Sequence, residues 1–305
     1  MSKLKQEVPI NFKKPTALPE SGEKAKEWQE ANRSFWENHP MRYDWKEKVD
    51  IAEFSGEFYE EIDKRFFLNS KEYLPWRRLP FDALIDFDSL KNKRILEIGI
   101  GNGSHAGLFS RFAEDFVGID ITDYAVKSTT ERFKIFGLNG KILKMDGEKL
   151  DFPDSSFDYV WSWGVIHHSS NTLKIIDEIC RVLKPAGKAT IMIYHRGWWN
   201  YYFVGLIQWL LSGDFLKGKS FHESVQLHTD GAIARYYAAS DWRKINKQLT
   251  VVKTRVLGPK TDLIPLPSGK LKNFIIKILP DPLARFFTGK LKMGSFLVVE
   301  AGINQ

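Results

Sequence analysis

A chain of 305 residues with 43% hydrophobic and 27% charged side chains has an ordinary globular composition and can bury a sizeable core without staples. Its single cysteine, Cys180, excludes an internal disulfide and any multi-cysteine zinc site, which fits a reducing, cytoplasmic setting. The net charge of +7 is uneven: between Arg243 and Lys292 twelve Lys or Arg face only Asp262 and Asp281, so that stretch carries +10 and the remainder −3 (7 − 10).

The N-terminal lysines precede no apolar segment, and no apolar run approaches the ~18 residues of a membrane span, so neither a secretory leader nor a spanning helix is expected. Residues 1–24, broken by Pro15, Pro19 and Gly22, read as a flexible arm. Residues 25–88 read as a helical extension of two or three helices, with Trp28, Phe35, Trp36, Tyr43, Trp45, Phe54, Phe58 and Tyr59 as stripes that pack onto the domain C-terminal to them.

From 89 to 196 strand and helix signals alternate. Strands are expected at 94–98, 116–121, 141–145, 157–163 and 188–194, with helices at 104–112, 124–136 and 172–183, the last ended by Lys184-Pro185-Ala186-Gly187. This alternation predicts an α/β fold, a mostly parallel sheet with helices on both faces, and a ligand site at the carboxyl ends of its strands. Residues 197–245 read as an inserted helical cap. Residues 246–305 hold two last strands separated by a basic insertion at 258–290.

Glu97-Ile-Gly-Ile-Gly-Asn-Gly103 closes the first strand and opens a helix, and its glycines let a ligand approach the backbone. A dinucleotide fingerprint would put its third glycine at position 104, which is Ser104, and would not need Glu97. Glu97 suits an ammonium group instead. Asp120 ends the second strand, where a carboxylate can accept from ribose hydroxyls, and Asp146 follows the third, where one can accept from an adenine amino group. Alone, each acid would serve as a helix cap or a solvated loop residue. Three acids at three successive strand ends outline a nucleoside-shaped site.

Together with Phe157-Asp158-x-Val160 and Arg181-Val-Leu-Lys-Pro-x-Gly187, these motifs resemble the class I S-adenosylmethionine-dependent methyltransferases, in particular the small-molecule branch of ubiquinone- and menaquinone-biosynthesis type. The resemblance covers roughly residues 90–195 and implies a Rossmann-like seven-stranded sheet. It implies that Glu97, Gly99, Gly101, Asn102 and Gly103 contact the methionine part of the cofactor, Asp120 with Ile121 the ribose, and Asp146, Gly147 and Glu148 the adenine. Trp163 and Gly164 begin the loop beside the sulfonium. Pro185-Ala186-Gly187 departs from the usual Pro-Gly-Gly at a structural turn.

His167 and His168 in that loop, and His195 at the end of the fifth strand, are candidates for a general base, with shaping of the cofactor pocket as the alternative. No metal-spaced cluster is present. The expected function is methyl transfer to a bulky, apolar or aromatic small acceptor on oxygen or carbon, with the Trp198–Phe203 run walling its pocket. The alternatives are a cofactor-binding module without catalysis and an RNA or DNA methyltransferase. No Asn-Pro-Pro-Tyr-type tetrapeptide follows the fourth strand, which disfavours the nucleic-acid reading. Phe35 to Trp45 is expected to fold over the cofactor, with Arg42 meeting a carboxylate. The segment 270–279, with Leu271, Phe274, Ile275 and Ile278 beside lysines, reads as a short amphipathic helix suited either to peripheral contact with an anionic membrane or to packing on the domain.

Overall fold

The structure, a computed structural model, describes residues 12–44, 50–245 and 247–303, so Trp45 lies outside the described residues. Seven strands form one sheet: β1 (Arg94–Ile98), β2 (Asp115–Asp120), β3 (Lys141–Lys144), β4 (Phe157–Trp163), β5 (Leu183–Tyr194), β6 (Leu249–Leu257) and β7 (Phe296–Ile303). Their order is β3-β2-β1-β4-β5-β7-β6. The first five run parallel, and β7 is antiparallel between β5 and β6. This is the Rossmann-like seven-stranded sheet implied by the sequence. The order reverses between β1 and β4, which opens a crevice at their carboxyl ends.

Successive residues of each strand bury on opposite faces. Leu96, Ile98, Val117, Ile119 and Val160 pack with the helix α5 (Thr172–Val182), while Ile95, Phe116 and Trp161 pack with Phe81, Phe87 and Phe109 on the other side. Helix α5 buries Ile175, Ile176 and Ile179 at helical spacing, each worth about 1.5–3 kcal/mol. Asn171 starts it by accepting from the amides of Leu173 and Lys174 at 3.1 and 3.3 Å. The turn at Lys184–Gly187 does not precede the fifth strand but lies inside it, as a bulge between the pairs Phe157–Leu183 and Tyr159–Lys188. Burial of Leu183 against the core carries the ladder back past the turn.

The extension contains α1 (Gly22–Asn38) and α2 (Gly56–Tyr73), each capped by a serine: Ser21 accepts from Lys24 N and Ser55 from Phe58 N, both at 3.1 Å. Helix α2 lies over α3 (Ser104–Phe109) and α4 (Asp123–Ile135), where the buried Arg132 guanidinium pairs with both oxygens of Asp63 at 2.8 and 3.0 Å.

Of the arm expected at 1–24, residues 1–11 lie outside the described residues, and residues 12–21 pack against the domain. Phe12 is buried and stacks on Trp28 at 5.3 Å, and the carbonyls of Pro15 and Ala17 accept from Tyr236 N and Arg235 Nε. The cause is Arg235, a fully buried cation that must satisfy its donors: it also bonds the carbonyls of Ser169 and Ser170 and lies 5.4 and 5.7 Å from the ring centroids of Phe12 and Trp28.

After β5 comes a wide helical stretch at Trp198–Val204 that runs into α6 (Gly205–Leu211), followed by α7 (Phe221–Gln226) and α8 (Ala239–Trp242). The insertion between β6 and β7 contributes α9 (Lys270–Ile278) and α10 (Asp281–Arg285). Among the described residues no helix is long and apolar enough to cross a membrane.

Candidate active site

A cavity of about 490 Å³ opens at the carboxyl edge of β1, β2, β3 and β4, with α1 forming part of its outer wall. Glu97, in β1, is only 1% exposed. Its Oε1 lies 3.8 Å from His105 Nδ1, and its Oε2 is buried with no hydrogen-bond partner among the described residues. Burial, reinforced by the charge of Asp120, pushes its carboxyl well above the usual range. His105 cannot supply a compensating charge, because burial among aromatic rings lowers its pKa to about 3. An orphaned buried acceptor is costly, and an ammonium group in the cavity would both satisfy it and favour the carboxylate.

The glycine loop comes next along the chain. Gly99 has φ +82°, and a Cβ there would stand 2.2 Å from Val165 Cγ2, so the turn tolerates no side chain. Asn102 lines the cavity, but its own side chain is committed within the protein. It donates to the Met41 carbonyl at 2.8 Å and accepts from Ser128 Oγ at 2.7 Å. Gly103 does not line the cavity; it is the left-handed residue that starts α3.

Asp120 presents its two oxygens differently. Oδ1 is filled by the amide and hydroxyl of Thr122 at 3.0 and 2.8 Å, whereas Oδ2 accepts a longer 3.3 Å contact from Gly101 N. Ligand hydroxyls would therefore meet mainly Oδ2. Burial raises its pKa, and the bonds from Thr122 and Gly101 work against that rise. Asp146 is similar: Oδ1 accepts from Gln29 Nε2 at 2.8 Å and Glu148 N at 2.9 Å, and among the described residues no bond to Oδ2 is seen. Ile121, Gly147, Trp163 and Gly164 line the same cavity.

Other candidates sit elsewhere. Glu148 is outside the lining, and its Oε1 braces the start of α5 by accepting from Ser169 Oγ, Ser170 Oγ and Asn171 N. That oxygen is engaged by the start of α5, and Oε2 lies 4.0 Å from Lys174 Nζ. Of the three histidines only His168 lines the cavity. Its Nδ1 donates to the Ile233 carbonyl at 2.6 Å, which leaves Nε2 as the lone-pair nitrogen. His167 is fully buried with neither ring nitrogen partnered among the described residues, and His195 Nδ1 is bonded to the Gly294 carbonyl outside the cavity lining. Burial lowers all three, His168 to about 4.

Sequence reasoning missed Gln29, whose amide bridges Asp146 Oδ1 and Ser170 N, because a lone glutamine on a helix carries no signal of its register against the sheet. Arg42 is outside the cavity lining and pairs with Glu53 at 2.6 Å. The Trp198–Phe203 run does not wall the cavity either. The indole N–H groups of Trp198 and Trp199 hold the carbonyls of Leu291 and Asp262, and Trp198, Tyr202 and Phe203 are exposed. The aromatic wall comes instead from Trp36, Tyr43, Phe66, Tyr73, Tyr194 and Phe296.

Residues 96–191 match the family described as Methyltransferase domain. The uncharacterized methyltransferase YcgJ of Bacillus subtilis is 32% identical over 103 residues, 33% of this chain and 41% of that protein. The ubiquinone/menaquinone biosynthesis C-methyltransferase UbiE of Pseudomonas putida is 29% identical over 152 residues, 45% of this chain and 59% of that protein. This chain thus spans less than two thirds of either relative. A solved complex of the Haloferax volcanii Trm112 methyltransferase activator with a methyltransferase superposes with a TM-score of 0.53 at 14% identity, over 90% of this chain and 98% of that one, a likeness of fold. Residues 96–191 thus match a methyltransferase domain, set within a longer chain whose sheet has the order β3-β2-β1-β4-β5-β7-β6.

Proposed function

We propose that this protein transfers the methyl group of S-adenosylmethionine to a small, uncharged and largely apolar acceptor. The observation that carries the reading is the buried, unpartnered Oε2 of Glu97 in the same cavity as Asp120 and Asp146, each with one oxygen underused by the protein. These residues fit the cofactor: Glu97 would take its ammonium, Asp120 Oδ2 its ribose hydroxyls and Asp146 Oδ2 its adenine amino group. The cofactor, when bound, supplies an electrophilic methyl carbon. The chain's part is to hold donor and acceptor in line and exclude water, which can account for much of the acceleration in such a displacement.

The rest of the cavity supports the acceptor class. Beyond the acids its wall is aromatic, and among the described residues no Lys or Arg lines it, while Glu72 and Asp230 add negative charge. A phosphate or carboxylate on the acceptor would meet no cation there, which weighs against nucleic acid as well. His168 serves as the base for an acceptor hydroxyl or acidic carbon. Burial keeps it neutral to about pH 4, so its lone pair is available throughout the neutral range. Turnover is expected to stay level between about pH 8 and 5 and to fall only near 4; a midpoint close to 6.5 would remove His168 from the mechanism.

The direct test uses cofactor labelled on its methyl group with fractionated cell extract. Label is expected in an organic-soluble product. Tight cofactor binding with no label in any fraction would leave a binding module, and label in nucleic acid would overturn the acceptor class.

A further inference from the structure

The exposed apolar side chains of this protein are concentrated on two neighbouring segments. Along the coil from Trp198 to Leu211, Trp198, Tyr202, Leu206 and Leu210 recur every fourth residue and are all exposed. Leu211 and Leu216 lie just beyond at 84% and 79% exposure. On α9, Leu271, Phe274 and Ile278 form a second exposed stripe at helical spacing, and Leu283, Phe286 and Leu291 continue it along the chain. The two segments meet where Trp198 Nε1 donates to the Leu291 carbonyl at 2.8 Å. A water-facing helix normally carries polar residues on such a face, and so extensive an apolar surface needs a cover.

Charge identifies the cover. Lys270, Lys277, Lys290 and Lys292 are exposed on the second of these segments, and no ion pair engages any of these four ammonium groups among the described residues. Apolar stripes ending in Trp and Tyr and flanked by unpaired lysines match an anionic bilayer interface, with acyl chains below and phosphate above. A second copy of the chain would bring the same unpaired lysines face to face.

We infer that the face formed by the Trp198–Leu216 coil and the 270–292 segment docks on an anionic membrane surface, from which a lipid-soluble acceptor enters the cavity. The inner side of this face adjoins the cavity: Pro259 and Thr261 line it, and Trp199, stacked on Phe203 at 4.8 Å, holds the carbonyl of the adjacent Asp262 at 2.8 Å. Docking stands on these surface residues alone. The entry route rests on the apolar-acceptor reading above.

The test is co-sedimentation of the full chain with phosphatidylcholine vesicles, with and without phosphatidylglycerol, at low and high salt. At low salt about tenfold more protein is expected on the anionic vesicles, with the excess lost in high salt. Leu211→Glu with Leu216→Glu, and separately Lys290→Glu with Lys292→Glu, should each abolish binding. These side chains are exposed, so thermal unfolding and calorimetric cofactor affinity should not change. Equal neglect of both vesicle types overturns the docking, as does binding that survives both double variants. So does a dimer in sedimentation velocity that Leu211→Glu with Leu216→Glu breaks, because the face would then belong to a second copy. Cofactor affinity in the same preparations separates the two claims: vesicle binding can fail while the cofactor binds, and loss of cofactor binding in the unaltered chain would instead sink the functional reading.

Discussion

Asp120→Ala is expected to weaken S-adenosylmethionine binding by about 1.5–3 kcal/mol, roughly ten- to a hundred-and-fiftyfold in Kd, as read by titration calorimetry. The carboxylate ends β2 at the crevice and keeps Oδ2 underused. Its Oδ1 has a separate duty, because it holds Thr122, whose hydroxyl in turn caps α4 through Ala125 N at 3.3 Å. Asp120→Ala therefore loses a ligand contact and loosens a helix start. Asp120→Asn separates these roles: it keeps an acceptor for Thr122 while removing the charge, so it should melt like the parent yet bind the cofactor less tightly. Unaltered affinity in the alanine variant would mean that the ribose does not lie against β2.

Removal of residues 1–46 is expected to reduce turnover at least about a hundredfold while leaving the sheet folded. Its described residues contribute no strand, and beyond the contacts with Arg235 and Tyr236 several of their bonds to the core lie at the cavity. Gln29 bonds Asp146, the Met41 carbonyl holds Asn102, and Glu37 accepts from the amides of Asp123 and Tyr124 at 2.7 and 3.0 Å. Trp36 meets His168 edge-on at 5.0 Å. Without these the crevice is open to water. Truncation also uncovers Arg235 and Ile233, so circular dichroism must show the sheet intact. Trp36→Ala in the full chain gives a milder check, with a reduced kcat and an unchanged melting profile. Full activity in the truncated protein would show that the segment is no lid.

The parallel core was legible because its signals are local. Short Ile/Leu-rich stretches such as Arg94–Ile98, a glycine turn, and an α5 with isoleucines at helical spacing each specify their own element, and βαβ handedness leaves few ways to connect them. The placement of Glu97, Asp120 and Asp146 on one crevice came from the same logic, since strand ends in a parallel sheet share an edge.

What lay beyond the sequence were contacts between segments distant along the chain. Pro15, Pro19 and Gly22 suggested a loose arm, yet one buried guanidinium, Arg235, anchors that arm from 218 residues away. The aromatic run at Trp198–Phe203 has the composition of a pocket wall but lies outside the cavity, since two indole N–H bonds to the 258–293 region fix its rotation. His167, His168 and His195 are indistinguishable as letters. Only the carbonyls of Ile233 and Gly294, supplied by distant loops, decide which ring reaches the cavity. The sequence by itself determined the strands of the parallel core and the three acids at their ends, because those depend on backbone periodicity and short turns. The tertiary structure alone decided which side chains face the ligand, because a hydrogen bond to a remote carbonyl orients a ring or helix without leaving a pattern in the neighbouring residues.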